Sequence, residues 1–514
     1  MAIEDVKTVL VLGGAYAGAR AVQILSKGLP KKWRIILVDR NTHINHVYVF
    51  PRLAVLPGHE HKGFIPFHKL LDPNRTRDLC LHATVRSVHP SYVVLDRSFP
   101  EKGIHTPEIH FDYLIYALGS TLPAPLDLWG SHPHSGRVSS PAKGHVSGSK
   151  PYGGTKREGI AWLKAHQEVI EASESILVVG GGALGIQFAT DIAAIHPGKR
   201  ITLLHSRPRL LPRFDERMHT EIFETLLALN IQVILGDRLD IQSIAEGLNT
   251  KLNEKGQCIA QTLQGRKVAA DLILLCTGQK PNTQFLSKMD PRCVNPHGGL
   301  AHVLRTMQLG TIPTTRIHRR SDSSSSTSTS NSMPPPEEEL ADVLAQVDLT
   351  GNVDSNSEAS TSSIHDETAK DSEPICDETL EEAETTPYPN IFVAGDSADA
   401  FGAIPAGHTA YYQGEVAARN VLRLIQRSDR MNHSRIQAQE TEDSIFSEET
   451  DLDGPLEHYT PGLPAIKISL GLTKATYQAN GIVRTSDDGV PDLNAAAIWG
   501  FFGYEVEREE DMYA

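Results

Sequence analysis

Two short glycine-rich loops have the residue types and spacing that bind phosphate groups. The first reads Gly13-x-Ala15-x-x-Gly18 after the apolar run TVLVL, and the second reads Gly180-x-Gly182-x-x-Gly185 after SILVV. In such a loop the first glycine permits a tight turn. The middle residue lets the backbone approach a pyrophosphate, and the third lets a helix pack closely on a strand. The phosphates then meet the free N–H groups at the N-terminus of that helix.

Both loops are therefore predicted to bind dinucleotides, although Ala15 adds a methyl group to the first. The residues expected to contact the cofactors are Gly13, Ala15, Tyr16, Ala17 and Gly18 in the first loop, and Gly180, Gly182, Ala183, Leu184 and Gly185 in the second. One imperfect loop could be a glycine turn in an unrelated α/β protein. Two loops in one chain imply two dinucleotides, and the pair that makes chemical sense is FAD with NAD(P)H.

The strand that follows each loop ends in a different polar residue. RIILVD ends at Asp39, which precedes Arg40, and RITLLH ends at His205, which precedes Ser206 and Arg207. A carboxylate at this position accepts hydrogen bonds from a ribose diol and repels a 2′-phosphate. Asp39 is thus expected to bind the FAD ribose. The second strand lacks the acid and has a guanidinium nearby, so NADPH is expected to be accepted at least as well as NADH.

The elements that must position these loops are short buried strands alternating with helices. Seven apolar runs read as strands that end in a loop: TVLVL, RIILVD, YLIYALG, SILVVG, RITLLH, DLILLCTG and NIFVAGD. This alternation predicts βαβ units around parallel sheets. The expected fold class is α/β, with two Rossmann-like dinucleotide-binding domains.

Composition narrows the function classes. The chain has 514 residues and a net charge of −14, which argues against nucleic acid as a partner because phosphate binding needs a basic surface. The five cysteines are scattered along the sequence and none forms a C-x-x-C pair, which indicates a reducing compartment. No apolar run is long enough to span a membrane. We expect a cytoplasmic protein, with a place at the periphery of an organelle membrane as the alternative.

Two segments depart from the strand and helix pattern. Residues 317–386 are rich in serine and acids, and residues 426–455 are similarly polar, so both are predicted to be disordered. The histidines, including His59 and His61 in HEH, lack the spacing of metal ligands, and no metal is expected. The expected divisions are an FAD-binding domain (1–130 and 387–425), a loop (131–155), an NAD(P)H-binding domain (156–310), the insert (317–386), a linker (426–455) and a C-terminal cap (456–514).

Three further motifs carry a family resemblance. YPNIFVAGDSADA places Asp396 directly after a strand, and the runs DYLIYALGS and DLILLCTGQKPN end near Gly119 and Gly278. The chain resembles the pyridine nucleotide–flavin oxidoreductases, and within them the apoptosis-inducing-factor-like branch that includes the ferroptosis suppressor type. The segments YGGTKREGIAWLKAHQEVIEASESILVVGGGALG, HTAYYQGEVAARNVLRLI and LEHYTPGLPAIKISLGLTKA match that branch.

The resemblance implies a glutathione-reductase-like architecture, in which the NAD(P)H domain is inserted into the FAD domain and a small C-terminal cap covers the flavin. It implies that Asp396 holds the flavin ribityl chain. The helix containing His408, Thr409 and Ala410 would point its N-terminus at the flavin. It also implies transfer of electrons from NADPH or NADH through FAD to a quinone-like acceptor, by a monomer or homodimer.

Two departures from the superfamily concern the reacting groups. The glutamate expected two residues beyond the third glycine is Gln187, which brings an amide to the nicotinamide region but no charge. The segment after Asp39 has no C-x4-C pair, so a disulphide relay is not expected and the acceptor must meet the flavin directly. Arg52 and Lys62 in this region are candidates for contact with the flavin.

Two other function classes stay open from the sequence. A flavin monooxygenase also has two glycine loops, and a redox-sensing NAD(P)H-binding scaffold with a role in cell death could use the acidic insert to recruit partners. The aromatic-rich run LNAAAIWGFFGYE is expected either to join a core or to form an acceptor site or a membrane contact.

Overall fold

The computed structural model describes residues 6–129, 137–139, 152–244, 252–312, 385–437 and 454–513. The helices are α1 (Tyr16–Gly28), α2 (Phe50–Leu53), α3 (Lys156–Ala172), α4 (Ala183–Ile195), α5 (Glu216–Ala228), α6 (Gln284–Met289), α7 (Gly407–Gln437) and α8 (Ala497–Phe501). Short 3₁₀ helices span Glu60–Gly63, Phe67–Lys69, Pro100–Lys102, Ala124–Leu126, Ile241–Ile244, Pro291–Cys293 and Glu509–Tyr513.

Short strands make up the rest of the regular structure. They are β1 (Lys7–Leu12), β2 (Trp33–Asp39), β3 (His43–Asn45), β4 (Phe64–Pro66), β5 (Leu79–His82), β6 (Val85–Val88), β7 (Tyr92–Leu95), β8 (Glu108–His110), β9 (Tyr113–Tyr116), β10 (Ser120–Thr121), β11 (Arg137–Ser139), β12 (Ser175–Val179), β13 (Arg200–His205), β14 (Gln232–Leu235), β15 (Cys258–Gln261), β16 (Lys267–Ala270), β17 (Leu272–Leu275), β18 (Lys280–Pro281), β19 (Ala301–His302), β20 (Gln308–Leu309), β21 (Tyr388–Val393), β22 (Ala398–Asp399), β23 (Ile466–Ser469), β24 (Ala475–Ala479) and β25 (Ile482–Ser486).

Two mainly parallel sheets, each with one antiparallel edge strand (β20 or β11), form the cores of the two dinucleotide-binding domains. The first has the strand order β20-β21-β9-β1-β2-β5, and the second has the order β11-β17-β12-β13-β14. β1 and β12 occupy equivalent places, because each pairs in parallel with the strand after its own glycine loop and with a later crossover strand. All seven predicted strands are present, and the predicted α/β class is confirmed.

The helix that opens the second domain has a capping box that its sequence encodes. The Thr155 hydroxyl accepts a hydrogen bond from Glu158 N, and the Glu158 carboxylate accepts one from Thr155 N at 3.1 Å. Each side chain satisfies a backbone donor that the first helical turn leaves free. This fixes the start of α3, which leads directly into the central strand β12.

The chain returns to the first domain earlier than the sequence suggests. β19 pairs with β22 and β20 with β21, so residues 301–309 lie in sheets of the first domain. Leu286 and Cys293 are buried in the same core as β1. The second domain therefore ends near Pro281 and not at residue 310, because the residues after β18 pack on the first sheet.

Helix α7 extends into the segment 426–455, which the sequence predicted to be a disordered linker. The helix continues to Gln437, so the prediction of disorder is wrong for residues 426–437. Its earlier turns are packed through Val421 and Ile425, and extending a formed helix by further polar turns costs little free energy. Residues 438–453, the predicted insert up to residue 384 and most of the predicted loop at 131–155 lie outside the described residues.

Candidate functional site

The first glycine loop has the geometry of a phosphate cradle. Gly13 has a φ of +90°, and a Cβ added to it would lie 2.3 Å from Ala117 O. A Cβ on Gly18 would lie 1.8 Å from Gly13 O. Only glycine fits at these two positions. Ala15 is the extended N-cap of α1 and its side chain makes no capping hydrogen bond, so the first N–H groups of the helix are left for a ligand.

Asp39 sits beside this loop at the end of β2. Its carboxylate accepts a hydrogen bond from Gly14 N at 2.7 Å and another from Asn41 N at 2.7 Å. Burial raises the pKa of Asp39, and the hydrogen bonds oppose that rise. The Arg40 guanidinium lies 5.0 Å from the ring centre of Trp129. The two hydrogen bonds thus fix the carboxylate beside the glycine loop.

The two crossover segments bring together the partners of Asp396. The short strands β10 and β18 pair antiparallel, although they lie in different parts of the chain. Asp396 Oδ2 accepts hydrogen bonds from Ser120 Oγ at 2.9 Å and from Gln279 Nε2 at 2.8 Å. Burial raises the pKa of Asp396. Sequence reasoning missed Ser120 and Gln279, although each directly follows a glycine, Gly119 or Gly278, that it had selected.

The N-terminus of α7 lies against the first glycine loop. A Cβ on Gly407 would lie 3.1 Å from the Tyr16 ring, and one on Gly414 would lie 2.3 Å from Ala17 O. Ala410 is buried beside Ala17 and Ala394. The first turns of α1 and α7 therefore converge on one place.

Two polar residues start α7. Thr409 Oγ1 donates to Ala406 O at 2.8 Å and to Ile404 O at 2.7 Å. Burial lowers the pKa of His408, which favours the neutral imidazole. The positive end of the helix dipole at this place favours a bound anion or a group that gains negative charge.

The second glycine loop repeats the first in backbone construction. Gly180 has a φ of +121°, and a Cβ on it would lie 2.8 Å from Cys276 O. A Cβ on Gly185 would lie 1.8 Å from Gly180 O, the same approach as in the first loop. Gly182 is the N-cap of α4, and a Cβ there would meet nothing within 4 Å. A ligand can therefore come close to the backbone at Gly182, before Ala183 and Leu184 begin the helix.

His205 takes the place in the second loop that Asp39 has in the first. Gly181 N donates to His205 Nδ1 at 3.1 Å, as Gly14 N donates to the carboxylate of Asp39. Burial lowers the pKa of His205, so its imidazole is kept neutral. Ser206 and Arg207 follow as exposed residues. The acceptor of this loop thus lacks the negative charge present in the first.

The three residues proposed from the sequence as reacting groups all contact the C-terminal segment. Gln187 is buried and its Nε2 donates to Ser469 Oγ at 3.2 Å. Lys62 Nζ lies 2.8 Å from Asp492 Oδ2. Arg52 is fully buried, and its Nη2 donates to Asp191 Oδ1 at 2.9 Å.

Arg52 also donates to three backbone carbonyls, those of Gly471, Leu472 and Pro491. Both of its terminal nitrogens are therefore occupied by protein acceptors. This placement does not favour the flavin contact suggested by the sequence. It gives Arg52 and Lys62 partners in the C-terminal segment instead.

The cysteines in the described part of the chain are free thiols. They are Cys80, Cys258, Cys276 and Cys293. Burial raises the pKa of each of them, to about 12 for Cys80 and Cys293. A thiol with a raised pKa is a poor nucleophile at neutral pH, because the thiolate is the reactive form.

Metal ligands and membrane-spanning helices are both missing from the described residues. Among the described segments, no three His, Cys, Asp or Glu side chains are grouped closely enough to hold a metal ion. None of the helices in those segments has the length and apolar character needed to cross a membrane.

Known proteins match this arrangement in sequence. Residues 7–308 match the sequence model of the pyridine nucleotide-disulphide oxidoreductases. Fe-regulated protein 8 of Mycosarcoma maydis is 34% identical over 503 residues, which cover 96% of this chain and 94% of that protein. Apoptosis-inducing factor homolog B of Dictyostelium discoideum is 26% identical over 308 residues, or 58% of this chain and 70% of its own length. Ferroptosis suppressor protein 1 of Taeniopygia guttata is 28% identical over 286 residues, or 55% of this chain and 65% of its own length.

The fold is also found among solved structures. The sulfide:quinone oxidoreductase of Aquifex aeolicus superimposes with a TM-score of 0.56 and 15% identity, covering 96% of this chain and 90% of that one. At this identity the likeness concerns the fold alone.

Proposed function

Because this chain belongs to the pyridine nucleotide-disulphide oxidoreductase family, whose members bind FAD and NAD(P)H, we propose that it is an NAD(P)H oxidoreductase that passes electrons to a quinone or similar acceptor without a redox disulphide. The observation that carries the proposal is the pair of glycine loops, each following a central strand of one of two mainly parallel sheets in the same chain. When bound, FAD supplies the two-electron chemistry that connects NAD(P)H with an acceptor.

The residues of the first domain fit FAD. The loop from Gly13 to Gly18 has room only for backbone at its turn, and the free N–H groups of α1 suit a pyrophosphate. Asp39 would bind the ribose, and Asp396, held by Ser120 and Gln279, would bind the ribityl hydroxyls. The N-terminus of α7 would stabilise negative charge on the reduced ring system.

The residues of the second domain fit a nicotinamide dinucleotide. Gly182 leaves open space in front of the N-terminus of α4, where the pyrophosphate would lie. His205 places a neutral imidazole at the ribose end, with Nδ1 accepting from Gly181 N and Nε2 left as the N–H donor, and Arg207 is exposed next to it. These features suit NADPH as well as NADH, because no carboxylate stands at the strand end to repel a 2′-phosphate.

The proposed acceptor is a small molecule that takes up two electrons directly. The raised thiol pKa values of the described cysteines argue against a thiol relay. The matches to an apoptosis-inducing factor homologue and to ferroptosis suppressor proteins agree with the family resemblance that implies a quinone-like acceptor. The balanced reaction is NAD(P)H + H⁺ + quinone → NAD(P)⁺ + hydroquinone.

The experiment is anaerobic mixing of the purified yellow protein with NADPH or NADH, followed by a panel of quinones. We expect either nucleotide to bleach the flavin absorbance and a quinone to restore it. Bleaching that no quinone in the panel reverses would contradict the acceptor class. Binding of NAD(P)H without any bleaching would favour a redox-sensing scaffold.

Two substitutions at one position test the second loop. Gly182→Asp adds a carboxylate where the helix N-cap has open space, and Asp is a favoured N-cap residue, so the fold should be retained. Its negative charge should prevent NAD(P)H from bleaching the flavin while FAD stays bound. Gly182→Ala is the matched control, since Ala15 stands at the equivalent place in the first loop. Reduction of Gly182→Asp at the wild-type rate would show that this loop does not bind the nucleotide.

A further inference from the structure

The C-terminal segment, residues 456–513, packs into the cores of both dinucleotide-binding domains. Ile468 of β23 and Leu470, the residue directly after that strand, are buried in the core that contains α4 and α5 of the second domain. Trp499 and Tyr504 are buried in the core that contains β1 and β2 of the first domain. This segment is thus an apolar connection between the two domains, in addition to its expected place as a cap.

A polar cluster lies where these three parts of the chain meet. Arg52 lies on α2 of the first domain and Asp191 lies on α4 of the second. The turn between β23 and β24 supplies the carbonyls of Gly471 and Leu472. Pro491 O is a further acceptor for Arg52. The side chains of Arg52 and Asp191 are 0% exposed, so no water competes for these hydrogen bonds. We call this cluster the interdomain latch.

We propose that the interdomain latch holds the two dinucleotide-binding domains in the relative position that hydride transfer requires, with Arg52 as the positioning residue. The inference rests on the proposed function, because it assigns the latch a role in that reaction. A guanidinium suits the task, since its planar fork offers several donors in fixed directions.

A second contact ties the same elements together. Gln187 lies one helical turn before Asp191 on α4, so both side chains project from one face of the helix. Gln187 Nε2 donates to Ser469 Oγ on β23, two residues before Gly471. Next to Pro491, Asp492 pairs with Lys62 of the first domain. The hairpin is therefore held from both domains by side chains with defined directions.

The electrostatics favour a role in position over a role in stability. Burial raises the pKa of Asp191 to about 6, even though the adjacent Arg52 acts to lower it. The loss of hydration thus outweighs the attraction between the two charges. Buried ion pairs of this kind often contribute little net stability, and apolar residues of similar size can replace both partners. Such a replacement would leave the fold intact and remove the directional hydrogen bonds.

The test compares three variants of the full-length holoprotein. Arg52→Met leaves Asp191 buried and unpaired, and it is the variant most at risk of unfolding. The double variant Arg52→Met with Asp191→Leu removes both charges and should fold. Arg75→Met is the matched control, because Arg75 also binds one carboxylate, Asp78, and two backbone carbonyls, but only within the first domain.

Three quantities are measured on each variant. They are the FAD content, the dissociation constant of NADPH and the first-order rate of flavin bleaching at saturating NADPH. We expect the double variant to keep its FAD and its affinity, and to lose roughly tenfold or more in the bleaching rate, because misplacing reacting groups by about 1 Å can cost on the order of a hundredfold. Arg75→Met should bleach at the wild-type rate. An unchanged rate in the double variant, or an equal fall in Arg75→Met, would overturn the proposal.

Hydrogen exchange separates failure of the latch from failure of the proposed function. If NAD(P)H does not bleach even the wild-type protein, the proposed function fails. The latch is then judged on backbone amide exchange, which needs no turnover. Exchange in β23, β24 and α4 should be faster in the double variant than in the wild type, and unchanged in Arg75→Met. Unchanged exchange in the double variant would show that Arg52 and Asp191 do not hold these elements together.

Discussion

Replacing His205 with aspartate should shift the nucleotide preference of the second loop from NADPH toward NADH. The first loop shows that a carboxylate fits this place, since Asp39 Oδ2 accepts from Gly14 N at 2.7 Å. His205 Nδ1 accepts from the equivalent Gly181 N at 3.1 Å. His205→Asp should therefore keep the hydrogen bond to the loop and add a negative charge beside the nucleotide ribose.

The size of the effect follows from the charges. Two unit charges 4 Å apart interact by about 1 kcal/mol in water and by about 4 kcal/mol at an effective dielectric constant of 20. Burial lowers the pKa of His205, which indicates a partly dehydrated place between these limits. The repulsion between the new carboxylate and a 2′-phosphate should then be about 1–3 kcal/mol, or roughly 5-fold to 150-fold in kcat/KM for NADPH. NADH should be unaffected or improved.

The assay measures kcat/KM for NADPH and NADH with one quinone at fixed ionic strength. His205→Asn is the matched control, because its amide oxygen can accept from Gly181 N without a charge, and the NADPH to NADH ratio should stay near that of the wild type. Arg207→Ala should weaken NADPH alone, and the loss should shrink at high salt. A wild type that strongly prefers NADH, or equal ratios for the Asp and Asn variants, would refute the reasoning.

Four other outcomes can be measured on the same protein. Asp396→Ala should release FAD, because the half-buried carboxylate proposed to bind the ribityl hydroxyls is lost; full flavin content in the purified variant would show that Asp396 does not hold the cofactor. Quinone reduction should survive replacement of all five cysteines by serine in a folded protein, and its loss would reveal a thiol step. Deletion of residues 322–382 should leave FAD binding and Tm nearly unchanged, since Thr386 Oγ1 bonds to Leu309 O and the described ends lie together; a large fall in Tm would contradict this. Burial lowers the pKa of His46 from 6.5 to about 4, so the unfolded chain takes up its proton first and stability is lost as the pH falls from about 6.5 to about 4, by up to about 3 kcal/mol. His46→Gln should flatten this fall in Tm with pH, whereas the same change at the exposed His110 should not.

The sequence was sufficient to predict those parts of the candidate site that are formed by consecutive residues. A glycine loop is read from a few consecutive residues, because the turn, the helix start and the close helix packing all depend on neighbours in the sequence. Asp396 was proposed from the family resemblance, because its motif follows a strand and comes after both crossover segments in the order typical of that family. In the structure the Asp396 carboxylate accepts hydrogen bonds from Ser120 and Gln279, one on each crossover segment. The sequence had indicated only the neighbouring glycines, Gly119 and Gly278.

Distant contacts explain what the sequence could not reveal. Arg52 meets Asp191 and Gly471, which lie 139 and 419 residues away in the chain. No composition or spacing in the segment around Arg52 indicates such partners, and a lone cation near the flavin-binding segment is equally consistent with ligand contact. The end of the second domain was misplaced for a related reason, because β19 and β20 are too short to be recognised before their partners β22 and β21 are known.

Comparing the two loops distinguishes the residues that backbone packing requires from the residues that are free to differ between ligands. Gly18 and Gly185 face the carbonyls of Gly13 and Gly180 in the same way, with 1.8 Å for an added Cβ in both, so packing alone excludes any other residue there. The loops differ at the positions where packing leaves a choice. Ala15 replaces the open Gly182, and His205 replaces Asp39 while keeping the same hydrogen bond. A difference at positions that the fold does not constrain is best explained by two different dinucleotides, and exchanging those residues is the direct way to move selectivity without disturbing either domain.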